Sequence, residues 1–319
     1  MQRLSCGLSL KAPAKINLTL EISALLPGGY HELDTIFQKL ELADDLVLAK
    51  AADTELIMSG TGESGMEVAS GSDNLVIKAQ KALEEFTGRR LACRFELRKK
   101  IPAGGGLGGG SADCAAALKG LNELYNLGLD HMELHSLAAS LGADVAFGLE
   151  GCTARGKGRG DKLSSLPAPE FLKDWNVLLL MPSYGLSTPE VYKTWDRLEE
   201  SLRTPACGTS EELAGYLQKA ASEYGLEQDS AKTATELCRL LRNDLYPAAA
   251  SLRPELLDAA KAMEEAGCTP AMLCGSGSTM FGLLSPGNFS NLNESPEKLH
   301  RLEEFGRCCF TKLAMGETK

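Results

Sequence analysis

The sequence is short of basic charge, of histidine and of long apolar runs. Thirty-three lysines and arginines stand against 43 aspartates and glutamates, a formal net charge of −10 over 319 residues. That balance argues against a general nucleic-acid binder. No apolar run approaches the roughly 18 residues that a membrane-spanning helix needs, so no membrane partner is expected. Residues 1–11 lack an apolar signal core. Ten cysteines are present, none in C-x-x-C spacing, and Cys308 and Cys309 are adjacent. Reduced thiols and a cytoplasmic location are the expectation. His131 and His135 lie four apart, but the acid is Glu133 and does not directly follow the first histidine. The zinc-protease pattern is therefore absent, and the pair reads as a solvated helix face. What remains is ordinary globular composition, 44% hydrophobic and 24% charged, in a chain long enough for one large or two ordinary domains.

What is abundant is glycine, concentrated in Ile101-Pro102-Ala103-Gly104-Gly105-Gly106-Leu107-Gly108-Gly109-Gly110-Ser111. Before it, Leu91, Cys93, Phe95 and Leu97 alternate with polar or small residues, the period of a strand. After it, Leu118, Leu121 and Leu124 recur at helical spacing. Strand, glycine loop and helix start together aim backbone N–H groups and a helix dipole at one spot, which suits a phosphate. A flexible linker would not sit between two periodic elements. Gly104, Gly106 and Gly109 satisfy the dinucleotide pattern G-x-G-x-x-G, but the helix leads through Asn126-Leu127-Gly128 into another helix where a strand is required. No Gly-Lys-Ser/Thr closes the loop, so it is not a Walker loop either.

Other candidates follow the chain. Ile16, Leu18, Leu20 and Ile22 predict a strand with Lys15 and Asn17 on one face, by default a wet one. Leu26-Pro27-Gly28-Gly29 predicts a turn, followed by Tyr30 and His31, which either pack the loop down or stack on a flat ring. Residues 36–48 read as one or two strands broken at Asp44-Asp45. Residues 59–72 read as an exposed loop, and Asp73-Asn74 as a helix cap. Asp130 and Glu133 form a capping-box-like helix start. In Gly142-Ala143-Asp144-Val145 the carboxylate is either a cap or a working group. Arg155, Lys157 and Arg159 predict a hairpin with a basic face. Residues 164–169 are rich in proline and serine and suggest a boundary between domains at 1–163 and 164–319. Residues 177–181 read as a strand, 197–240 as acidic helix interrupted at 204–209, and Asn243-Asp244-Leu245 as preceding a break at Pro247. A helix is expected over 254–266, a loop over 285–296, a short helix over 297–304 and a last strand over 307–313. Cys274-Gly275-Ser276-Gly277-Ser278-Thr279 sits between apolar runs and suggests a tight turn or a site wall.

Three elements, Pro13-Ala14-Lys15-Ile16-Asn17, the loop at 102–111 and Cys274-Gly275-Ser276-Gly277-Ser278-Thr279, resemble in order and spacing the three motifs of the GHMP kinases, the superfamily of galactokinase, homoserine kinase and mevalonate kinase. Gly29-Tyr30-His31, the extended glycine loop and Gly142-Ala143-Asp144-Val145 resemble most the branch acting on a cytidine diphospho-methylerythritol. The resemblance implies an α+β, two-domain fold with the active site in a cleft between the domains, and a left-handed β-α-β crossover in the first domain. It implies ATP-dependent phosphorylation of the 2-hydroxyl of that substrate, with Mg²⁺, in isoprenoid precursor synthesis. ATP would lie on Pro102, Gly104, Gly105, Gly106, Leu107, Gly108, Gly109, Gly110 and Ser111, with Asn74 near the adenine and Lys99 or Lys100 approaching the nucleotide. Tyr30 and Tyr192 would sandwich the cytosine, with His31 on its edge. Asn17 and Thr188 would lie near the methylerythritol end. Asp144 would be the base and Lys15 would keep it ionised. Ala112 stands where the family usually has a second serine, which leaves Ser111 as the hydroxyl candidate and the metal ligands unassigned. Cys114 and Ala146 also depart from the common pattern. A monomer or weak homodimer is expected. The competing classes are a nicotinamide-dependent oxidoreductase and a ligand-binding protein that keeps the fold without the chemistry.

Overall fold

The structure is a computed structural model that describes residues 7–26, 28–60, 71–199, 208–222 and 230–315. In chain order its elements are β1 (Leu8–Leu25), β2 (His31–Lys50), β3 (Glu55–Gly60), α1 (Leu75–Thr87), β4 (Cys93–Lys99), α2 (Gly109–Leu124), α3 (His131–Leu141), α4 (Ala143–Leu149), β5 (Thr153–Gly158), β6 (Lys162–Leu166), a 3₁₀ turn at Glu170–Leu172 and β7 (Asn176–Met181). There follow α5 (Thr188–Arg197), α6 (Thr209–Ser222), α7 (Ser230–Leu240), β8 (Arg242–Asn243), α8 (Tyr246–Leu252), α9 (Glu255–Glu265), β9 (Ala271–Leu273), β10 (Met280–Leu284), α10 (Pro286–Asn293), α11 (Pro296–Glu303) and β11 (Arg307–Thr311). The chain divides into two compact units. The first takes Met1–Ala14, Leu42–Ala103 and Gly108–Gly151; the second takes Lys15–Glu41, Gly104–Leu107 and Cys152–Lys319.

In the first unit β4 lies antiparallel to the end of β2, with Asp45 opposite Arg98, and parallel to β3, with Leu56 opposite Phe95. The parallel pair is joined through α1, the β-α-β connection. Cys93, Phe95, Leu97 and Lys99 all fall on the buried side of β4, because a strand alternates its faces. Helix α1 starts where the Asn74 side chain accepts the Val76 N–H, and it ends at Gly88. Its Val76, Ala79 and Leu83 are buried, as are Ala115, Ala117, Leu118 and Leu121 of α2. The capping box expected at Asp130 is present: its carboxylate accepts the Glu133 N–H, and Glu133 accepts the Asp130 N–H, each at 2.9 Å.

In the second unit four antiparallel strands run in the order β11-β7-β10-β9. Phe281 of β10 pairs with Leu179 of β7 and Met272 of β9. Leu178, Leu180, Leu256, Met263, Leu273, Met280 and Leu284 form a buried cluster there. The β5–β6 hairpin pairs with residues 33–38 of β2, and β8 runs parallel to β1 with Thr19 beside Arg242. The buried carboxylate of Glu21 receives the N–H groups of Thr209 and Ser210 at 3.2 and 2.7 Å, which satisfies donors at the start of α6.

Several expectations change. β2 is one unbroken strand, because Asp44 is fully buried and its carboxylate is hydrogen-bonded by backbone and side chain, so it does not act as a turn residue. Residues 285–296 are not a loop: Ser285 caps α10, accepting the Asn288 N–H, and Pro286 opens the helix, a favoured start. Pro247 likewise lies in the first turn of α8 and does not break the chain there. Residues 61–70 of the expected loop, Pro27 of the expected turn, and 200–207 and 223–229 of the expected helical run lie outside the described residues. The eight described cysteines carry free thiols.

α2 and α4 touch at Gly148, where a Cβ would fall 2.4 Å from the Ala115 Cβ. Alanine gains about 1 kcal/mol of helix propensity over glycine. The collision is with a Cβ fixed to backbone, so the helices must part, at a cost of about 1–3 kcal/mol. Gly148→Ala is therefore expected to lower the urea midpoint; an unchanged or raised midpoint would refute the close packing.

Candidate active site

Within the second unit the Lys15 side chain is almost fully buried, and the default wet face for Lys15 and Asn17 is not what forms. The Lys15 ammonium donates to Asn17 Oδ1 at 2.9 Å, Asn17 Nδ2 donates to Thr35 Oγ1 at 2.8 Å, and Thr35 donates to the Thr19 carbonyl at 2.5 Å. Residues 15, 17 and 19 share one face of β1, so period two delivers the first, second and last links. The Phe37 ring lies 5.7 Å from the ammonium. Burial pushes the Cys274 thiol up to about 12, against the pull of Lys15, so it stays neutral beside that lysine.

The Lys15 backbone N–H donates to the Leu107 carbonyl at 2.9 Å. The loop segment at Gly104–Leu107 is thereby held against both Lys15 and the turn at 274–279. A Cβ on Gly106 would sit 2.0 Å from the Cys274 carbonyl oxygen, and one on Gly105 would sit 2.2 Å from Thr279 Oγ1. Gly106 also has φ +79°, where a side chain is strained. The turn itself is clamped by Asn243, whose Nδ2 donates to the Leu273 and Gly275 carbonyls, both at 2.8 Å.

A second constellation of this unit forms around α5. Thr188, Tyr192 and Asp196 are four apart and share one helix face. They line a cavity of about 370 Å³ together with Tyr30, His31 and Arg159. The His31 ring stacks on Tyr192 at 4.8 Å and meets Trp195 edge-on. Its Nε2 lies 2.7 Å from Asp196 Oδ1. Tyr30 is 56% exposed, with the Arg159 guanidinium 5.4 Å from its ring. So His31 is packed and Tyr30 presents an open ring. Thr188 shares a 2.7 Å hydrogen bond with Ser276 of the glycine turn. On the expected basic hairpin, Arg155 is committed to Asp34 and Glu211 and Arg159 to Asp161.

The first unit holds the other residues singled out in the sequence. Asp144 stands in the first turn of α4 and is half-buried. Asn74 is buried as the cap of α1. Gly108 precedes α2 with no side-chain cap, so no side chain caps the first N–H groups of this 16-residue helix, at Gly109, Gly110 and half-buried Ser111. Pro102 is half-buried. Lys99 is buried between the carboxylates of Asp44 and Asp113. Burial works to strip its proton, but the two acids outweigh it and hold the ammonium above its usual range.

Asp44, Asp113, Asp196 and Asn243 were not singled out by sequence as site residues, while Ser276 lay in the turn read as a possible site wall. Asp196 carried a signal, four residues beyond Tyr192 on a helix. Lys99 carried one too, on the apolar face of β4 by period two.

Residues 74–152 match the GHMP kinases N terminal domain and residues 217–308 match GHMP kinases C terminal. A 4-diphosphocytidyl-2-C-methyl-D-erythritol kinase of Nocardia farcinica is 43% identical over 270 residues, 85% of this chain and 82% of its own length. The chain belongs to the GHMP kinase family. It is a small-molecule kinase with the α+β GHMP kinase fold. A second relative of the same name, from Pelotomaculum thermopropionicum, is 36% identical over 85% of this chain and 87% of its own. A crystal structure of 4-(cytidine 5'-diphospho)-2C-methyl-D-erythritol kinase superposes with a TM-score of 0.72 at 30% identity, covering 97% of this chain and 100% of that one. A homoserine kinase of Cytophaga hutchinsonii shares the GHMP fold, TM-score 0.70 at 19% identity over 99% of this chain and 98% of its own. Among the described residues no helix is long and apolar enough to cross a membrane.

Two glycines of this kinase separate backbone strain from crowding. Gly29 has φ +80° with nothing near its missing Cβ, so Gly29→Ala is expected to cost about 1 kcal/mol. Gly106→Ala adds a collision with a carbonyl and is expected to cost about 3 kcal/mol or more in urea unfolding. Equal costs at the two positions would contradict the close backbone approach.

Proposed function

We propose that this kinase transfers the γ-phosphoryl group of ATP to the 2-hydroxyl of 4-diphosphocytidyl-2-C-methyl-D-erythritol, giving the 2-phosphate and ADP, in the non-mevalonate route to isoprenoid precursors. The observation that carries this reading is that relatives bearing the name of that kinase match 85% of the chain at 36–43% identity. The cavity on α5 supports it. Tyr30 offers an exposed ring, and Tyr192 and His31 offer stacked ones, which a cytosine can use and a small aliphatic alcohol cannot.

In this reading the triphosphate lies on residues 104–111, where side-chain-free backbone and the uncapped start of α2 supply N–H donors. Asn74 and Lys99 belong to the same nucleotide region. Mg²⁺ would neutralise phosphate charge when bound, and Ser111 is the hydroxyl candidate for holding it. The acceptor's cytosine lies by Tyr30, His31 and Tyr192, and its polyol end by Thr188 and Asn17. Asp144 takes the proton of the 2-hydroxyl as that oxygen bonds to the γ-phosphorus and the bond to the β-phosphate oxygen breaks. Lys15, held by Asn17, steadies negative charge on the attacking oxygen. A monomer or weak homodimer and a cytoplasmic location complete the proposal.

ADP release with ATP and Mg²⁺ tests it, with the cytidine substrate, homoserine and mevalonate compared side by side. Turnover is expected with the cytidine substrate alone; faster turnover of either other alcohol would sink the assignment. Asp144→Asn is expected to lose about 10²–10⁴-fold in kcat. Tyr192→Ala is expected to raise KM for the cytidine substrate about 10-fold or more, as loss of a base stack does, while KM for ATP stays put. Full activity of Asp144→Asn would leave that residue only a structural role in the first turn of α4.

A further inference from the structure

One cluster of buried charges in the first unit surrounds Lys99, which the reading above assigns to the nucleotide region without a task. Lys99 ends β4, and its ammonium lies 2.6 Å from Asp113 Oδ2 and also hydrogen-bonds Asp44 Oδ2. The other oxygen of Asp44 accepts the backbone N–H of Lys100, and that of Ile101 at 2.8 Å. The side chains of Asp44, Lys99 and Asp113 are 0%, 7% and 4% exposed. Asp113 Oδ1 is buried with no hydrogen-bond partner. Burial raises the Asp113 carboxyl, opposed by Lys99 and reinforced by Asp44.

Stability is a poor reason for such a cluster. Two acids and one base in a dry interior lose more hydration than they recover unless every lone pair is met, and here one is not. What the cluster does possess is position. Each of its links ends on a stem of the glycine stretch: Lys99, Lys100 and Ile101 precede it, and Asp113 lies in the opening turns of α2, which follows it. The stems also touch directly, since a Cβ on Gly109 would fall 2.9 Å from Ile101 Cγ2 and 3.5 Å from Lys99 Nζ.

We propose that Asp44, Lys99 and Asp113 are positioning residues for the nucleotide, a buried clamp that fixes both stems of the glycine stretch and so aims its N–H groups at the triphosphate. The proposal rests on the kinase reading above. It gives Lys99 its effect on ATP through Asp44, which holds the backbone N–H groups of Lys100 and Ile101, and through Asp113, which is part of α2. Asp44 ties the incoming stem, Asp113 ties the helix, and Lys99 joins them. Charge-assisted hydrogen bonds suit this task because they are short and roughly twice as strong as neutral ones.

The test compares wild type with Asp113→Asn, which keeps shape and an acceptor for Lys99, and with Lys99→Met. For each, KM for ATP, KM for the cytidine substrate, the dissociation constant of a non-hydrolysable ATP analogue and the thermal midpoint are measured. A loosened loop predicts about a 10-fold or greater rise in KM for ATP and in the analogue's dissociation constant, with KM for the other substrate within about 2-fold of wild type. A lowered midpoint with unchanged ATP and analogue affinity would overturn the clamp and leave a merely structural cluster, as would equal rises in both KM values. Should Lys99→Met not fold, Asp113→Asn and Asp44→Asn decide by the same split. Wild type that fails to bind the analogue would overturn the kinase reading itself; tight binding by wild type with indifferent variants overturns the clamp alone.

Discussion

The second unit depends on one close approach of backbone to backbone. Gly106 lies against the Cys274 carbonyl, and Gly105 against the Thr279 hydroxyl beside it, at separations that leave no room for a Cβ. Around that contact the rest is arranged. Leu107 accepts the Lys15 N–H, Asn243 holds the 274–279 turn by two carbonyls, and Thr188 reaches Ser276 of the same turn. Strand β1, the glycine segment and helix α5 are thus fixed to a single turn without a salt bridge among these links. Directional hydrogen bonds between small groups can set positions to a few tenths of an ångström where apolar packing would slide.

Two buried lysines show how differently the same charge is managed. Lys15 donates to the amide oxygen of Asn17, one of the contacts that order its ammonium. Lys99 faces two carboxylates, which together exceed its charge. The proposals above give chemistry to Lys15 and positioning to Lys99.

What the sequence revealed was what neighbours in the chain decide. Period two exposed β1 and β4, three-residue spacing exposed the capping box at Asp130, and the clusters of glycine exposed both loops. The Asn74 cap was equally local. Asp44 was misread because the local rule, that two adjacent aspartates break a strand, holds only when nothing distant binds them; its partner Lys99 is 55 residues away. Asp196 escaped notice because His31 is 165 residues away. Asn243 Oδ1 accepts the nearby Leu245 N–H, but its Nδ2 holds carbonyls 30 and 32 residues on, which no local pattern shows. Ser285-Pro286 did carry a helix-start signature, which the surrounding glycine and asparagine obscured.

The most direct measurement is kcat of Lys15→Met with its thermal midpoint alongside. Methionine fills the space of the lysine stem, so the midpoint is expected to stay within a few degrees of wild type. If the ammonium serves phosphoryl transfer, kcat falls by about 10²-fold or more. A folded Lys15→Met with wild-type kcat would contradict the account, because the buried charge would then serve the fold alone.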